Sequence, residues 1–92
     1  MIQSFRSKAL KAYVDRGDRS KLSMPNLPRL ETMLELLDEA VAAEEMAVPG
    51  WRFHALKSDR KGRFAISVSG NWRITFGWDG QNAVEVDLED YH

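Results

Sequence analysis

The stretch Gly62-Arg63-Phe64-Ala65-Ile66-Ser67-Val68-Ser69-Gly70-Asn71-Trp72-Arg73-Ile74-Thr75-Phe76-Gly77-Trp78 carries a period of two. Phe64, Ile66 and Val68 alternate with Arg63, Ala65, Ser67 and Ser69. Trp72, Ile74, Phe76 and Trp78 alternate with Arg73, Thr75 and Gly77. A strand sends successive side chains to opposite faces, so the pattern predicts two half-buried antiparallel strands. Ser69-Gly70-Asn71 supplies the hairpin turn between them. Downstream, Asp79-Gly80-Gln81 reads as a second turn. Beyond it, Val84, Val86 and Leu88 alternate with Ala83, Glu85 and Asp87 in a third strand. Upstream, Trp51 to Lys57 predicts a fourth strand, joined by Asp59-Arg60-Lys61-Gly62. Pleating places Arg63, Ser67, Arg73, Thr75 and Asp87 on the face away from the apolar side chains.

Before Pro49-Gly50 the period is helical. Leu10, Tyr13 and Val14 recur at helical spacing over 7–15, with Ser4 or Ser7 as cap and Gly17-Asp18 as the stop. A second helix is expected within 25–41, where Leu27, Leu30, Leu34, Leu37 and Val41 form an apolar stripe with Met33 beside it. Pro25 and Pro28 fit only near its start. Glu31, Glu35, Asp38 and Glu39 lie on its other face. Ile2 to Phe5 has the length of a short edge strand. Helices first and a meander last predict an α+β architecture, with two N-terminal helices packed on one face of a small antiparallel sheet. Ninety-two residues suit one domain over 1–92.

The chain has no cysteine, which excludes disulfides and thiolate metal sites. No apolar run approaches the length of a membrane span, and the opening residues lack the apolar region of a signal peptide. A soluble, cytoplasmic protein is the expectation. The net charge of −1 argues against nucleic-acid binding, but its distribution does not. Residues 1–30 carry seven cations against two anions, and residues 51–73 six against one. The intervening acid is gathered in 31–48 and 79–90. Such patterning can present a basic face to RNA while holding acid elsewhere.

The basic segment 51–73 also holds His54, and the sequence closes on Tyr91-His92. Cutting RNA with its own 2′-hydroxyl requires a base for the 2′ proton, an acid for the 5′ oxygen, and cations for the phosphorane. Histidine suits either proton role, with an ordinary pKa of about 6.5. Arginine matches two phosphate oxygens with its planar fork. No metal-ligand spacing is present, and no cofactor is expected. Taken singly, these residues also have plain readings: His54 as a structural histidine, Lys57 as a surface lysine, Arg73 as a strand arginine paired with Asp87. His54 and Lys57, three apart, fall on opposite faces of an ideal strand unless a bulge or the strand end intervenes.

Pro49-Gly50-Trp51-Arg52-Phe53-His54-Ala55-Leu56-Lys57, Gly62-Arg63-Phe64, Asn71-Trp72-Arg73-Ile74-Thr75-Phe76 and Asp90-Tyr91-His92 together resemble a HigB-type toxin of the RelE superfamily of type II toxin–antitoxin systems. The resemblance covers nearly the whole chain and implies a RelE-like fold. It implies a metal-independent endoribonuclease, a ribosome-dependent mRNA interferase cutting in the A site. It also implies a helix-turn-helix antitoxin partner of the HigA type, with operator DNA bound only through that antitoxin. Carried over by position, His54, Lys57, Arg73, Tyr91 and His92 form the active site. Arg73 would hold the scissile phosphate, and Lys57 would add charge. His92 and His54 would move protons, and Tyr91 would stack a base or position the substrate. If the two basic segments share a face, Arg6, Lys8, Lys11, Arg16, Arg60, Lys61 and Arg63 would contact ribosomal RNA. Two other classes share this fold: a ParE-type gyrase inhibitor, which has no evident need for the histidines, and a non-catalytic remnant that still binds antitoxin.

Overall fold

Two helices lead into a four-stranded antiparallel sheet in the computed structural model, which describes residues 1–90. Helix α1 spans Lys8–Arg16. The Ser7 hydroxyl accepts a hydrogen bond from the Leu10 N–H at 3.2 Å, satisfying one of the donors that a helix start leaves unpaired. Gly17 ends the helix at φ 68°, a left-handed conformation that glycine adopts without steric cost, and its N–H returns to the Tyr13 carbonyl at 2.9 Å. Helix α2 spans Leu27–Glu39, capped by Asn26, with Pro28 in the first turn where its missing N–H costs nothing. Leu30, Met33, Leu34 and Leu37 are its buried face.

Two members of the expected stripes lie outside the core. Val41 is 77% exposed, because α2 stops at Glu39 and the extended backbone of Ala40 turns the chain outward. Val14 is also exposed, at the far end of α1 from the buried Leu10. The acidic face of α2 takes part in bonds to the rest of the chain. Glu31 accepts a hydrogen bond from the Tyr13 hydroxyl at 2.9 Å, and Asp38 accepts one from the Ile2 N–H at 2.8 Å. These bonds fasten α1 and the leading segment to α2.

The strands are β1 (His54–Ala55), β2 (Arg63–Ser69), β3 (Trp72–Trp78) and β4 (Ala83–Asp90), neighbouring in that order. Phe64 pairs with Phe76 and Ile66 with Ile74, so their side chains share the face covered by the helices. The rings of Phe53, Phe64 and Phe76 lie side by side there, with centroids 5.4 and 5.7 Å apart. Leu10 from α1, the α2 stripe, and Ile66, Val68, Ile74, Phe76, Ala83 and Val86 from the sheet form one core.

Three expectations about the sheet need correction. First, Trp51 to Lys57 does not form a seven-residue strand: only His54 and Ala55 pair with β2. Arg52 adopts φ 54°, which breaks the extended run, although the Trp51 carbonyl still accepts from the Ser67 N–H at 2.7 Å. Second, Ile2 to Phe5 does lie along the sheet edge, parallel to β4 and exchanging backbone hydrogen bonds with it, but it bridges only at Ile2 to Ala83 and Phe5 to Val86 and is not a continuous strand. Third, the alternation of β4 reverses partway. Glu85 sits at φ 52° in a bulge, its N–H donating to the Ser4 hydroxyl at 2.8 Å. Ala83 therefore enters the core, Val84 lies opposite Gly77 on the outer face, and the phase resets so that Val86 is buried. Gly77 suits that crossing, since a Cβ there would press on the Val84 side chain at 3.2 Å.

Candidate active site

The outer face of the sheet is read off its register. His54, Ala65, Thr75 and Asp87 form one cross-strand row, and Ser67, Arg73 and Glu89 form the next. Residues paired across strands point to the same side, so His54 and Arg73 share a face. A cleft of about 200 Å³ opens here, lined by His54, Leu56, Lys57, Arg60, Ala65, Arg73, Thr75 and Glu89. The strand-end solution thus resolves the placing of His54 and Lys57. Strand β1 stops at Ala55, Ser58 takes φ 61°, and Lys57 is left at the edge of the cleft that His54 borders. Ala65 and Thr75 are its floor, at 0% and 2% exposure. Thr75 is consequently not displayed to solvent as the alternation suggested, but covered by charged side chains.

His54 is exposed, and its Nδ1 lies 2.9 Å from the Arg52 carbonyl. A carbonyl oxygen can only accept, so Nδ1 carries the hydrogen. The neutral ring then keeps its lone pair on Nε2. The left-handed backbone of Arg52 is two residues from the ring it orients. Arg73 is half-buried on β3, and its cross-strand partner is Glu89 rather than Asp87. Tyr91 and His92, the remaining expected site residues, lie outside the described residues. Glu89 of β4 lines the cleft.

Beneath these groups runs a hydrogen-bonded row. Arg63 Nη2 donates to the Glu85 carbonyl at 2.9 Å and to Thr75 Oγ1 at 3.2 Å. Thr75 Oγ1 donates to Glu89 Oε2 at 2.5 Å, and Arg60 Nη2 pairs with the same oxygen. Burial, the largest single influence on Glu89, works to raise its carboxyl, but the bonds from Arg60 and Thr75 outweigh it and hold the group below its ordinary value. Burial pushes the Arg63 guanidinium down from its usual value, helped by the positive charges of Arg6 and Arg60. The hydrogen bond to Glu89 pushes Arg60 up despite its own burial.

A stability test follows from the sign of the Glu89 shift. A carboxyl depressed on folding stabilises the fold fully above its unfolded value, near 4.5. That contribution is lost as the pH falls through the lower folded value. The melting temperature of wild type should therefore exceed that of Glu89→Gln at about pH 6, with the gap closing by about pH 3. A gap that stays constant would show that the Glu89 charge does not contribute.

The cations expected to contact ribosomal RNA are more thoroughly paired than the sequence suggested. Arg6 is 2.9 Å from Glu85, Lys11 is 2.6 Å from Asp15, and Arg16 is 4.0 Å from Asp18. Arg60 and Arg63 are tied into the cleft row, while Lys8 and Lys61 are exposed. Arg6 and Arg63, from the two basic segments, both donate to Glu85, Arg6 to its carboxylate and Arg63 to its backbone carbonyl. Glu89 was not expected in the site. The signal was present, since alternation continued through Leu88 puts Glu89 on the outer face. Its place opposite Arg73, however, depends on the Glu85 bulge. A larger recess of about 500 Å³ lies between α1 and α2. It gathers Asp15, Glu31, Glu35 and Asp38 around one arginine, Arg19, which is the wrong charge for phosphate.

The comparisons with known proteins agree with this architecture. The chain is 36% identical over 92 residues to a protein named Endoribonuclease HigB from Proteus vulgaris, covering all of both chains. It is 31% identical over 93 residues to Toxin HigB-1 of Vibrio cholerae serotype O1, covering 99% of this chain and 98% of that one. A family model for the RelE-like toxin of the type II toxin–antitoxin system HigB matches residues 3–92. With two helices, a four-stranded antiparallel sheet and full-length relatives on both counts, the chain belongs to the HigB-like toxins of type II toxin–antitoxin systems.

Proposed function

We propose that the protein is an endoribonuclease that cuts mRNA in the ribosomal A site and so arrests translation. The observation that carries this reading is the cleft itself: a histidine whose Nδ1 is tied to the Arg52 carbonyl, an arginine and a lysine border one recess on the outer sheet face. In this mechanism Arg73 takes two oxygens of the scissile phosphate in its fork, and Lys57 adds a point charge. A base removes the 2′-hydroxyl proton, and the 2′ oxygen attacks phosphorus. The bond from phosphorus to the 5′ oxygen then breaks, and an acid protonates that oxygen. The products are a 2′,3′-cyclic phosphate and a 5′-hydroxyl. His54 Nε2 serves one proton role and His92 the other, with Tyr91 stacking on a base or positioning the substrate.

The type II family implies an antitoxin partner. A helix-turn-helix antitoxin of the HigA type fits this reading, with operator DNA reached only through it. Ribosome and mRNA as substrate would place the protein in the cytoplasm. Among the described residues, no helix is long and apolar enough to cross a membrane. The deciding assay is mRNA cleavage on programmed ribosomes, run beside DNA gyrase supercoiling. Cleavage within A-site codons, with supercoiling untouched, is the expected result. Blocked supercoiling without cleavage would move the protein to the ParE-like class. Neither effect, with antitoxin still bound, would make it a non-catalytic remnant.

A further inference from the structure

Arg60 is held unlike the other cations of the basic segments. It closes the short 3₁₀ turn Ser58–Arg60, yet its side chain is only 34% exposed and lines the cleft with His54, Lys57 and Arg73. Glu89 grips it through Oε2, the same oxygen that Thr75 donates to. Thr75 is itself fixed by Arg63 and is 2% exposed. The clamp is therefore anchored at the floor of the cleft. A partly buried ion pair adds only modest stability, because desolvating both charges offsets much of their attraction. It is a good means of fixing direction. Among the described residues, Glu89 engages Arg60 through Nη2, and a guanidinium carries five N–H groups in its fork, more than one carboxylate oxygen can take. Glu89 also lies directly across the ladder from Arg73, so the clamp sets Arg60 beside the arginine expected at the phosphate.

The geometry points to Arg60 as a second phosphate-contacting arginine of the active site, with Glu89 as the residue that positions it. This rests on the endoribonuclease reading above. Arg60 then faces the scissile phosphate instead of docking on ribosomal RNA. A phosphorane gains negative charge on its non-bridging oxygens, and two arginines lining one cleft stabilise that charge better than one.

The test uses the full chain as wild type, Arg60→Ala, Glu89→Ala, the double variant and Glu89→Gln. The saturated single-turnover rate of mRNA cleavage on programmed ribosomes is measured for each. Both alanine variants should lose roughly tenfold to a hundredfold in that rate, with half-saturation little changed. The double variant should be no slower than the worse single one, because Glu89 acts through Arg60. Glu89→Gln keeps an acceptor oxygen for Arg60 and should recover part of the loss. A wild-type rate for Arg60→Ala would overturn the assignment, as would a double variant in which the losses multiply. Faster cleavage by Glu89→Ala would also overturn it, marking Glu89 as a competitor of phosphate.

Should wild type cut no RNA, the enzyme reading fails by itself, and binding then decides. A dinucleoside monophosphate with a 2′-O-methyl group, which cannot be cut, is titrated while the Arg60 Nε–Hε NMR signal is followed. A shift in wild type that disappears in Glu89→Ala supports the assignment. No shift in wild type, or an equal shift in both, overturns it.

Discussion

Arg73→Ala should abolish most cleavage, lowering the rate on programmed ribosomes by roughly 10² to 10³, the usual cost of deleting one donor to a developing oxyanion. The loss should fall on the saturated rate, since the charge to be stabilised exists fully only in the transition state. Arg73→Lys keeps the charge but not the planar fork, and should recover only part of the rate. Arg73 is half-buried on the outer sheet face, away from the Ile66, Ile74 and Phe76 core. Its removal should therefore leave the melting temperature within about 4 °C of wild type. A well-folded Arg73→Ala protein that cleaves at the wild-type rate would remove Arg73 from the chemistry. It would leave Arg60 and Lys57 as the remaining cations lining the cleft.

The second large effect is on stability. Phe76 is fully buried, lies tilted against Phe64 with ring centroids 5.7 Å apart, and shares one core with Leu10 of α1 and the α2 stripe. Truncating a buried phenylalanine to alanine costs about 3 to 5 kcal/mol, from lost transfer energy and the cavity left behind. A domain of this length has a total stability of roughly 5 to 14 kcal/mol. Phe76→Ala should therefore lower the melting temperature by about 15 to 30 °C, or prevent folding at 37 °C. Phe64→Ala should cost less, because that ring is only half-buried. Phe76 lies between Thr75 and Gly77 on β3, so the damage should also loosen the cleft floor. Chemical denaturation of both variants checks the order. A Phe76→Ala loss below about 1 kcal/mol would contradict the packing described.

Local pattern was enough to determine much of this protein. The two-residue period of 63–69 and 72–78 set the central hairpin, because pleating leaves no other way to bury Phe64, Ile66, Ile74 and Phe76 together. The stripe of Leu30, Leu34 and Leu37 set α2, and Ser7 and Gly17 set the ends of α1, since these act through bonds within a few residues. Arg73 on the outer face followed from its flanks, Trp72 and Ile74. The resemblance to HigB-type toxins, carried by short motifs along the chain, named the family that the comparisons bear out.

Tertiary structure decided what depends on contacts distant in sequence. The bulge at Glu85 is held by Ser4, 81 residues away, and no local rule places a left-handed glutamate there. Without it the register set by Trp78 and Ala83 would put Leu88 opposite Arg73; with it, Glu89 arrives there. The same holds for His54 and Lys57. Their three-residue spacing separates them in an ideal strand, but the left-handed turns at Arg52 and Ser58 cut β1 short and leave both at one cleft. Charge patterning put Arg60 among the cations for ribosomal RNA, yet the carboxylate that draws this turn residue inward lies 29 residues on, in β4. Alternation and capping are local, and so the sequence could show which residues face outward; which charges meet there is settled by register, and register is a property of the folded sheet.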